Sequence, residues 1–485
     1  MTSNTFSKKT THLDYVIQDC EDVSSYGGAV LVDAIARDAG LFESISEVSE
    51  LDHRNDKSRG FKAEAIISQL LTSFATGGIS IADAGRLAED KALGKLIGLD
   101  RMADEATLNI WLNRQTTASV KALWEINRKL LEWTFAQLPR ETLCPNGKAE
   151  VFFDGTEIEV YGKTFEKTAK NYDGNITYSW QTLWLNGKWL LGGTLDSGNV
   201  DVSQHLRPLL LETKELWHPF AETGEAHFFA DSGSSAGKYL TIVSQYNWSW
   251  SISYNKWTTK LDELCTDLPS TDWGEKIPAT SRKGEAIIEE HTWLRHQPGE
   301  DCLRGHDFAA VRYQAAEGGE LLYRYAYVAC GQANQAPAPV TKPAEAQATF
   351  AWHKKKGAHE HVFTNILSDL DLHHPPCKKF EANEVWYALG AIANNLLRAV
   401  QALTMAPDLQ TMRLRSIIRH FLTIPVRVTK HAGRSEVKLF LPKTVQKWAA
   451  EMLAKVWPKR ARGGPIRNVP VGADRWSKVK GGKTR

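Results

Sequence analysis

The stretch EVFFDGTEIEVYGK, Glu150 to Lys163, sets Asp154, Glu157 and Glu159 among Phe, Ile, Val and Tyr. On an extended strand alternate residues share a face, so Asp154 points with Thr156, Ile158 and Val160, and Glu157 and Glu159 point with Phe153 and Tyr161. Asp154 takes the more apolar side, where a carboxylate costs free energy unless it is hydrogen-bonded, paired or bound to a metal. The pair Asp154-Gly155 is also a favoured hairpin turn, which would make Asp154 a surface turn residue. A second candidate, Asp231 in EAHFFADSGSSAGKYL, ends a short apolar run; followed by serines, it also fits a helix N-cap. The third, Glu360 in KKKGAHEHVFTNILSDL, continues a helical stripe of Phe363, Leu367 and Leu370, although an acid near a helix start also complements the macrodipole.

Whether these acids can meet depends on the elements that carry them. Residues 1 to about 140 show helical spacing in GGAVLVDAIARDAG, FKAEAIISQLLTSFATG, ISIADAGRLAEDKALGKLIG and TASVKALWEINRKLLEWTFAQL, with Gly40, Gly77 and Gly98 as helix ends. From Glu150 the period becomes two. A strand from Val151 to Tyr161 precedes a hairpin, ITYSWQTLWL and KWLLGGTL, joined by Asn186-Gly187. Then come the helix-like SQHLRPLLLETKELW, the strand AHFFAD, the helix-like SAGKYLTIVSQ and the strand WSWSISY. Three meandering strands, a helix, a fourth strand, a helix and a fifth strand form the order of a ribonuclease H-like α/β core. The expected architecture is therefore an α-helical N-terminal DNA-binding region over 1–140 and a first part of the core over 141–255. A β-rich insertion with a linker covers 256–347, the end of the core with the Glu360 helix covers 348–403, and a helical, basic C-terminal region covers 404–485.

In a ribonuclease H-like sheet the first and fourth strands are neighbours, which predicts Asp154 beside Asp231 with the Glu360 helix packed on them. Such a set of oxygen donors suits Mg²⁺ or Mn²⁺. Two ions about 3.5 to 4 Å apart would activate a water or a 3′-hydroxyl on one side of a phosphorus and stabilise the leaving oxygen on the other. A glycosidase also uses two carboxylates, but it explains neither the third acid nor the basic segments.

The chain has 485 residues, 42% of them hydrophobic and 24% charged, a composition that excludes the disordered and membrane classes and allows several packed units. No apolar run reaches membrane-span length and the start lacks a signal-peptide core, so a cytoplasmic, nucleoid-associated location is expected. The six cysteines are far apart, without a C-x-x-C pair, and read as reduced and mostly buried thiols. The net charge of +2 hides an asymmetry: Lys455 to Arg485 holds ten Lys/Arg against Asp474 alone. A second basic segment carries Arg413, Arg415, Arg419, Arg427, Lys430 and Arg434. Both point to a polyanion such as DNA, whose condensed counterions are released on binding; a solvated tail that aids solubility is the alternative for the last residues.

Taken together, SSYGGAVLVDAIARDAGLF, GISIADAGRLAEDKALGKLIG, ATLNIWLNRQT, FFDGTEIEVYGK, GGTLDSGNV, FFADSGSSAG, KKKGAHEHVFTNILSDLDLHHPPCKKFEANEVWYALGAIANNLL and LRSIIRHFLTIPVRVTKHAGR resemble, in collinear order, the DDE-type transposases of bacterial insertion sequences, in their group 1 DDE-domain branch. The resemblance implies that Asp154, Asp231 and Glu360 are the catalytic, metal-binding triad. The family surrounds its last acid with the pattern Tyr, two residues, Arg, three residues, Glu, six residues, Lys. Here His353, Lys356, Glu360 and Leu367 hold those places, so only the Glu matches, and Lys356 keeps a positive charge as a candidate DNA-phosphate contact. In such relatives the β insertion sets an aromatic ring beside the transposon end; Trp293 in EEHTWLRHQ is the candidate, with core packing as the competing role. Tyr323, Tyr325 and Tyr327 share one strand face and read as packing rather than as a base-stacking platform. The implied activity is binding of terminal inverted repeats, metal-dependent cleavage of double-stranded DNA at the ends and joining of the 3′-hydroxyls to target DNA, by a homodimer in a synaptic complex. A nuclease without strand transfer and a domesticated, non-catalytic DNA-binding protein are the alternatives.

Overall fold

The computed structural model describes residues 20–162, 164–201, 203–254, 260–281, 283–299, 302, 305–315, 323–331, 343–354, 361–431 and 434–456. Its strands are β1 (Val23–Ser24), β2 (Ala149–Glu159), β3 (Ala169–Lys170), β4 (Ile176–Leu185), β5 (Trp189–Ser197), β6 (Ala226–Ala230), β7 (Ser249–Tyr254), β8 (Ile277–Thr280), β9 (Ala286–His296), β10 (His306–Ala315), β11 (Arg324–Gly331), β12 (Val426–His431) and β13 (Arg434–Leu439). One large mixed sheet runs β3-β4-β2-β6-β7-β11-β10-β9-β8, with β5 also paired to β4. The β2–β6 and β6–β7 pairs are parallel and the others antiparallel. The β-rich segment after β7 thus continues the same sheet.

Local chemistry accounts for the joints. Asn186 and Gly187 both take positive φ, 54° and 60°, the conformation that a tight β4–β5 hairpin requires. The parallel pairs need crossovers, supplied by helices Leu206–Glu212 and Lys214–Glu222 before β6 and Gly237–Val243 before β7. Trp217 of the second crossover helix lies 4.5 Å from Trp248, itself 5.1 Å from Phe228, and covers one sheet face. The long helix Phe380–Thr404 covers the other, with Phe380 against Tyr178 at 5.6 Å and Tyr387 against Trp180 at 5.0 Å.

The N-terminal helices are fastened to this core by side-chain amides. Strand β5 is paired on one side by β4, and its opposite edge meets Asn395 of the long helix: the Leu190 N–H donates to Asn395 Oδ1 at 3.0 Å and Asn395 Nδ2 donates to the Leu190 carbonyl at 2.8 Å. Asn395 Nδ2 also donates to Asn127 Oδ1 at 2.8 Å, and Asn127, on helix Thr117–Gln137, donates to the Leu190 and Leu191 carbonyls. All these groups are buried, where an unmet strand edge would cost roughly 1–3 kcal/mol per group.

The two ends of the described chain fold together. Strand β1 pairs with β12, which pairs with β13, in a second sheet. The backbone of Gly27 and Gly28 lies directly on the C-terminal segment, donating to the carbonyls of Ile424 at 2.8 Å and Leu422 at 3.1 Å. A Cβ on Gly28 would stand 1.9 Å from the Phe421 carbonyl oxygen. Gly28→Ala is therefore expected to cost about 1–3 kcal/mol or more in denaturant unfolding; an unchanged midpoint would mean that the ends do not share this contact.

A second expectation concerns pH. Burial pushes the Glu384 carboxyl up to about 7, with Glu381 and Asp196 adding to the rise and Lys167 opposing it. The fold favours the protonated acid, so its contribution is full below the ordinary value of 4.5 and is lost as pH rises to about 7. Glu384→Gln should remove that slope, leaving the variant about 1–3 kcal/mol more stable relative to wild type at pH 8 than at pH 4.5. Parallel stability–pH curves for the two proteins would refute it.

Candidate metal centre

Asp154 is a strand residue and not a turn: β2 pairs with β4 straight through it, with Asp154 opposite Thr182 and Gly155 opposite Gln181. On its other side β2 pairs in parallel with β6, Phe152 opposite Phe229 and Phe153 opposite Ala230. Asp154 and Asp231 each follow the last of these pairs by one residue, so the two carboxylates stand at neighbouring strand positions although 77 positions separate them in the chain. Asp154 is half-buried and Asp231 exposed. Asp154 Oδ1 accepts from the Gly155 N–H at 2.8 Å, and Asp231 Oδ1 accepts from the Ser232 N–H at 2.7 Å as the N-cap of the short turn Ser232–Ser234. Glu157 and Glu159 are exposed on the other face, where Glu157 accepts from Asn171 and Glu159 from the Tyr161 hydroxyl.

Pairing and alternation give the two aspartates a common face, together with Phe152, Thr182, Trp180 and Trp184 on one side and Phe229, Ser251 and Ser253 on the other. Glu360 and Lys356 lie outside the described residues, but the segments on either side of Glu360 both dock on this face. Helix His361–Asp369 begins at the next residue, and its Phe363 ring lies 6.4 Å from Trp180 and 6.2 Å from Trp184. Helix Pro343–His353 ends with Trp352 5.7 Å from the His227 ring and His353 6.3 Å from Phe229. Anchors over β2–β4 and over β6–β7 thus bracket the chain that carries Glu360. The donors in view are carboxylate oxygens, one within β2 and one just past the end of β6, and oxygen donors fit a hard divalent cation. Among the described residues no group of three or more His, Cys, Asp or Glu is arranged to hold a metal ion. The cysteines are free; five are buried and Cys20 is exposed.

The basic residues divide by environment. Arg413 is engaged at 2.7 Å by Asp369, whose side chain is fully buried at the end of the Phe363 helix. Arg427 lies 3.4 Å from Asp22, while Arg415 and Arg419 are exposed on the turn that leads to β12. Lys430 falls on β12, and of the basic tail only the start, to Val456, is described. Trp293, on β9, is half-buried and packs with Ala309, Val311, Val328, Ala346 and Phe350, beneath helix Pro343–His353. The tyrosines serve internal contacts: Tyr327 donates to Asp262 at 2.5 Å, Tyr325 stacks on Tyr327 and Tyr323 takes the Arg312 guanidinium at 4.4 Å.

The sequence did not single out the polar supports of the site. Asp201 accepts from Tyr239 and, at 3.2 Å, from Lys238, and Ser203 meets Ser234 at 2.5 Å, tying the loop after β5 to the loop after Asp231. Arg398, half-buried on the long helix, has its guanidinium lowered to about 10 by desolvation, with Asp369 opposing the fall. No periodic pattern marks such residues, because each partner comes from a distant segment.

Among the described residues no helix is long and apolar enough to cross a membrane. A search of the curated proteins found no match. The family described as Transposase DDE domain group 1 matches residues 15–460, nearly the whole chain. A large mixed sheet is consistent with that match, and the chain belongs to the group 1 family of DDE-domain transposases, proteins of transposition whose substrate is DNA.

Proposed function

We propose that Asp154, Asp231 and Glu360 form the catalytic triad of a ribonuclease H-like core that cleaves double-stranded DNA at the ends of a mobile element and joins the freed 3′-hydroxyls to target DNA. The observation that carries this reading is the shared face: two carboxylates at neighbouring strand positions, with both anchors of the Glu360 segment packed over the same strands. Asp154, Asp231 and Glu360 would hold Mg²⁺ or Mn²⁺, which would supply Lewis-acid activation of the attacking water or hydroxyl and stabilisation of the leaving oxygen. The chain's own residues hold and orient. Asp154 is fixed by the strands on either side of it, and Asp231 by the Ser232 N–H it caps. Glu360 would supply the third carboxylate of the set. The exposed Arg415, Arg419 and Arg427, with Lys430, Lys356 and the basic tail, supply phosphate contacts, and Trp293 marks the segment of the β-rich extension nearest to helix Pro343–His353.

Asp154→Ala and Asp231→Ala should each lower metal-dependent cleavage of an end-containing duplex by at least about 100-fold while leaving its gel-shift affinity unchanged. Cleavage at the wild-type rate in either variant would remove that residue from the site. A paired assay for joining of cleaved ends to a target plasmid reports strand transfer.

The basic contacts make a separate prediction. Replacing Arg415 and Arg419 together by Ala should reduce the slope of log affinity against log salt by about 2. An affinity that is insensitive to salt in the wild-type protein would dissociate these segments from DNA.

A further inference from the structure

Strand β13 is the outer strand of the small sheet β1-β12-β13: among the described residues only β12 pairs with it. Its backbone orientation follows from two hydrogen bonds. The Phe440 N–H donates to the Pro425 carbonyl at 2.9 Å, so Lys438 and Glu436, two and four residues earlier, also turn their backbone groups toward β12. Val428, which stands opposite Val437, instead gives its N–H to the Asp22 carbonyl at 2.7 Å, on the β1 side. The N–H and C=O of Val437 and Leu439 therefore point away from β12, along the outer edge. Glu436, Val437, Lys438 and Phe440 are exposed there, Val437 by 38% and Phe440 by 54%. Such an edge is a template for a further strand, and a lone Lys on it normally keeps a second strand away. Lys438 is not alone, because Glu436 lies on the same face of the strand at 3.7 Å.

We propose that this edge pairs with β13 of a second copy of the chain, antiparallel and two-fold symmetric about Val437. Antiparallel strands exchange backbone bonds between outward-pointing residues, here Val437 and Leu439, with Ser435 next in the alternation. In the symmetric register Val437 bonds the partner's Val437 and Leu439 meets the partner's Ser435. Glu436 then stands opposite the partner's Lys438, and the same contact recurs across the axis. Sliding the partner two residues either way sets Glu436 against Glu436 or Lys438 against Lys438. Opposite charges directly across a strand pair stabilise it and like charges destabilise it, so the charges select one register. They also select the occupant, because Glu-Val-Lys read antiparallel against itself puts each charge opposite its complement. On the other face Val437 lies opposite Val428, which is buried with Val426 and packed by Leu439, and the partner's Val437 extends that apolar strip. The product is one continuous sheet in which β1-β12-β13 of one copy runs into the same three strands of the other. Six residues a side is small for a protein interface, so the dimer exchanges with monomer.

The test is sedimentation velocity of the full chain, free of DNA, over a rising series of protein concentrations. The wild-type chain should pass from monomer to dimer. Glu436→Lys and Lys438→Glu each set like charges against one another at both contacts and should weaken self-association about tenfold or more. Mixed in equal amounts, the two variants should associate as the wild type does, because each supplies the charge that the other lacks. The double exchange, Glu436→Lys with Lys438→Glu, should dimerise as well. Val437→Pro removes an N–H that β12 does not use and should abolish the dimer. A wild-type chain that stays monomeric at every concentration overturns the proposal and leaves the edge to another occupant. So does self-association that is unchanged in both single variants, or a dimer that survives Val437→Pro. The double exchange separates pairing from misfolding: if it melts at the wild-type temperature yet stays monomeric, the Val437-centred register is wrong.

Discussion

The parallel register of β2 on β6 is the constraint on which the rest of the molecule depends. Two aspartates 77 positions apart become neighbours because Phe152 pairs with Phe229 and Phe153 with Ala230. A slip of one residue would turn one carboxylate to the opposite face and place it among Phe228, Trp248 and Trp217. Register is held by what each face buries. Phe153 and Phe228 fill one side, and Phe152 and Phe229 the other, all within 1% of complete burial. Exchanging those sets would bury an ionised group in an aromatic layer, at a cost well above that of any surface contact. The hydrophobic pattern that makes the strands therefore also aligns the acids.

Part of this was legible because it depends on neighbours along the chain. Alternation in FFDGTEIEV separates Asp154 from Glu157 and Glu159, and the strand does place the two glutamates on the exposed face. The hairpin at Asn186-Gly187, the helices punctuated by Gly40 and Gly98 and the strand AHFFA follow from the same short-range rules. The candidate turn at Asp154-Gly155 could not be decided locally, since the dipeptide fits both roles and only the pairing to Thr182 and Gln181 distinguishes them. What stayed hidden was contact between distant segments. Nothing in LLRAV announces that Asn395 immediately before it will close the edge of β5, and nothing in WSWSISY distinguishes serines that hold a histidine from serines that meet water. The sheet formed by β1, β12 and β13 joins residues about 400 apart, beyond the reach of any window.

Charge shows the same division. Composition places positive residues in the segment from Arg413 to Arg434, but only the fold separates those at the surface from those already engaged. Arg413 is held by a fully buried carboxylate at the C-terminal end of the Phe363 helix, and removing it would strand Asp369 in a low-dielectric interior that also holds the Arg398 guanidinium. Its loss is thus a structural event before it is an electrostatic one. Arg415 and Arg419, two and six residues further on, face outward. A basic run therefore holds residues in different settings, and the proposed salt-dependent binding is to be sought first in those without a buried carboxylate partner.

The source of the third carboxylate follows from the faces of the strands. On the face that carries Asp154 and Asp231, β4 presents Trp180, Thr182 and Trp184, and β7 presents Ser249, Ser251 and Ser253. Neither neighbour offers an acid there, so the third carboxylate of the proposed triad would have to come from the layer above. Helices Pro343–His353 and His361–Asp369 are the parts of that layer that flank Glu360, and they hold the sheet by unlike means: hydrogen bonds from a histidine at one end, aromatic rings at the other. Changes at Asn395 or Gly28 should act on stability first, because each sits in a close contact that joins distant parts of the fold.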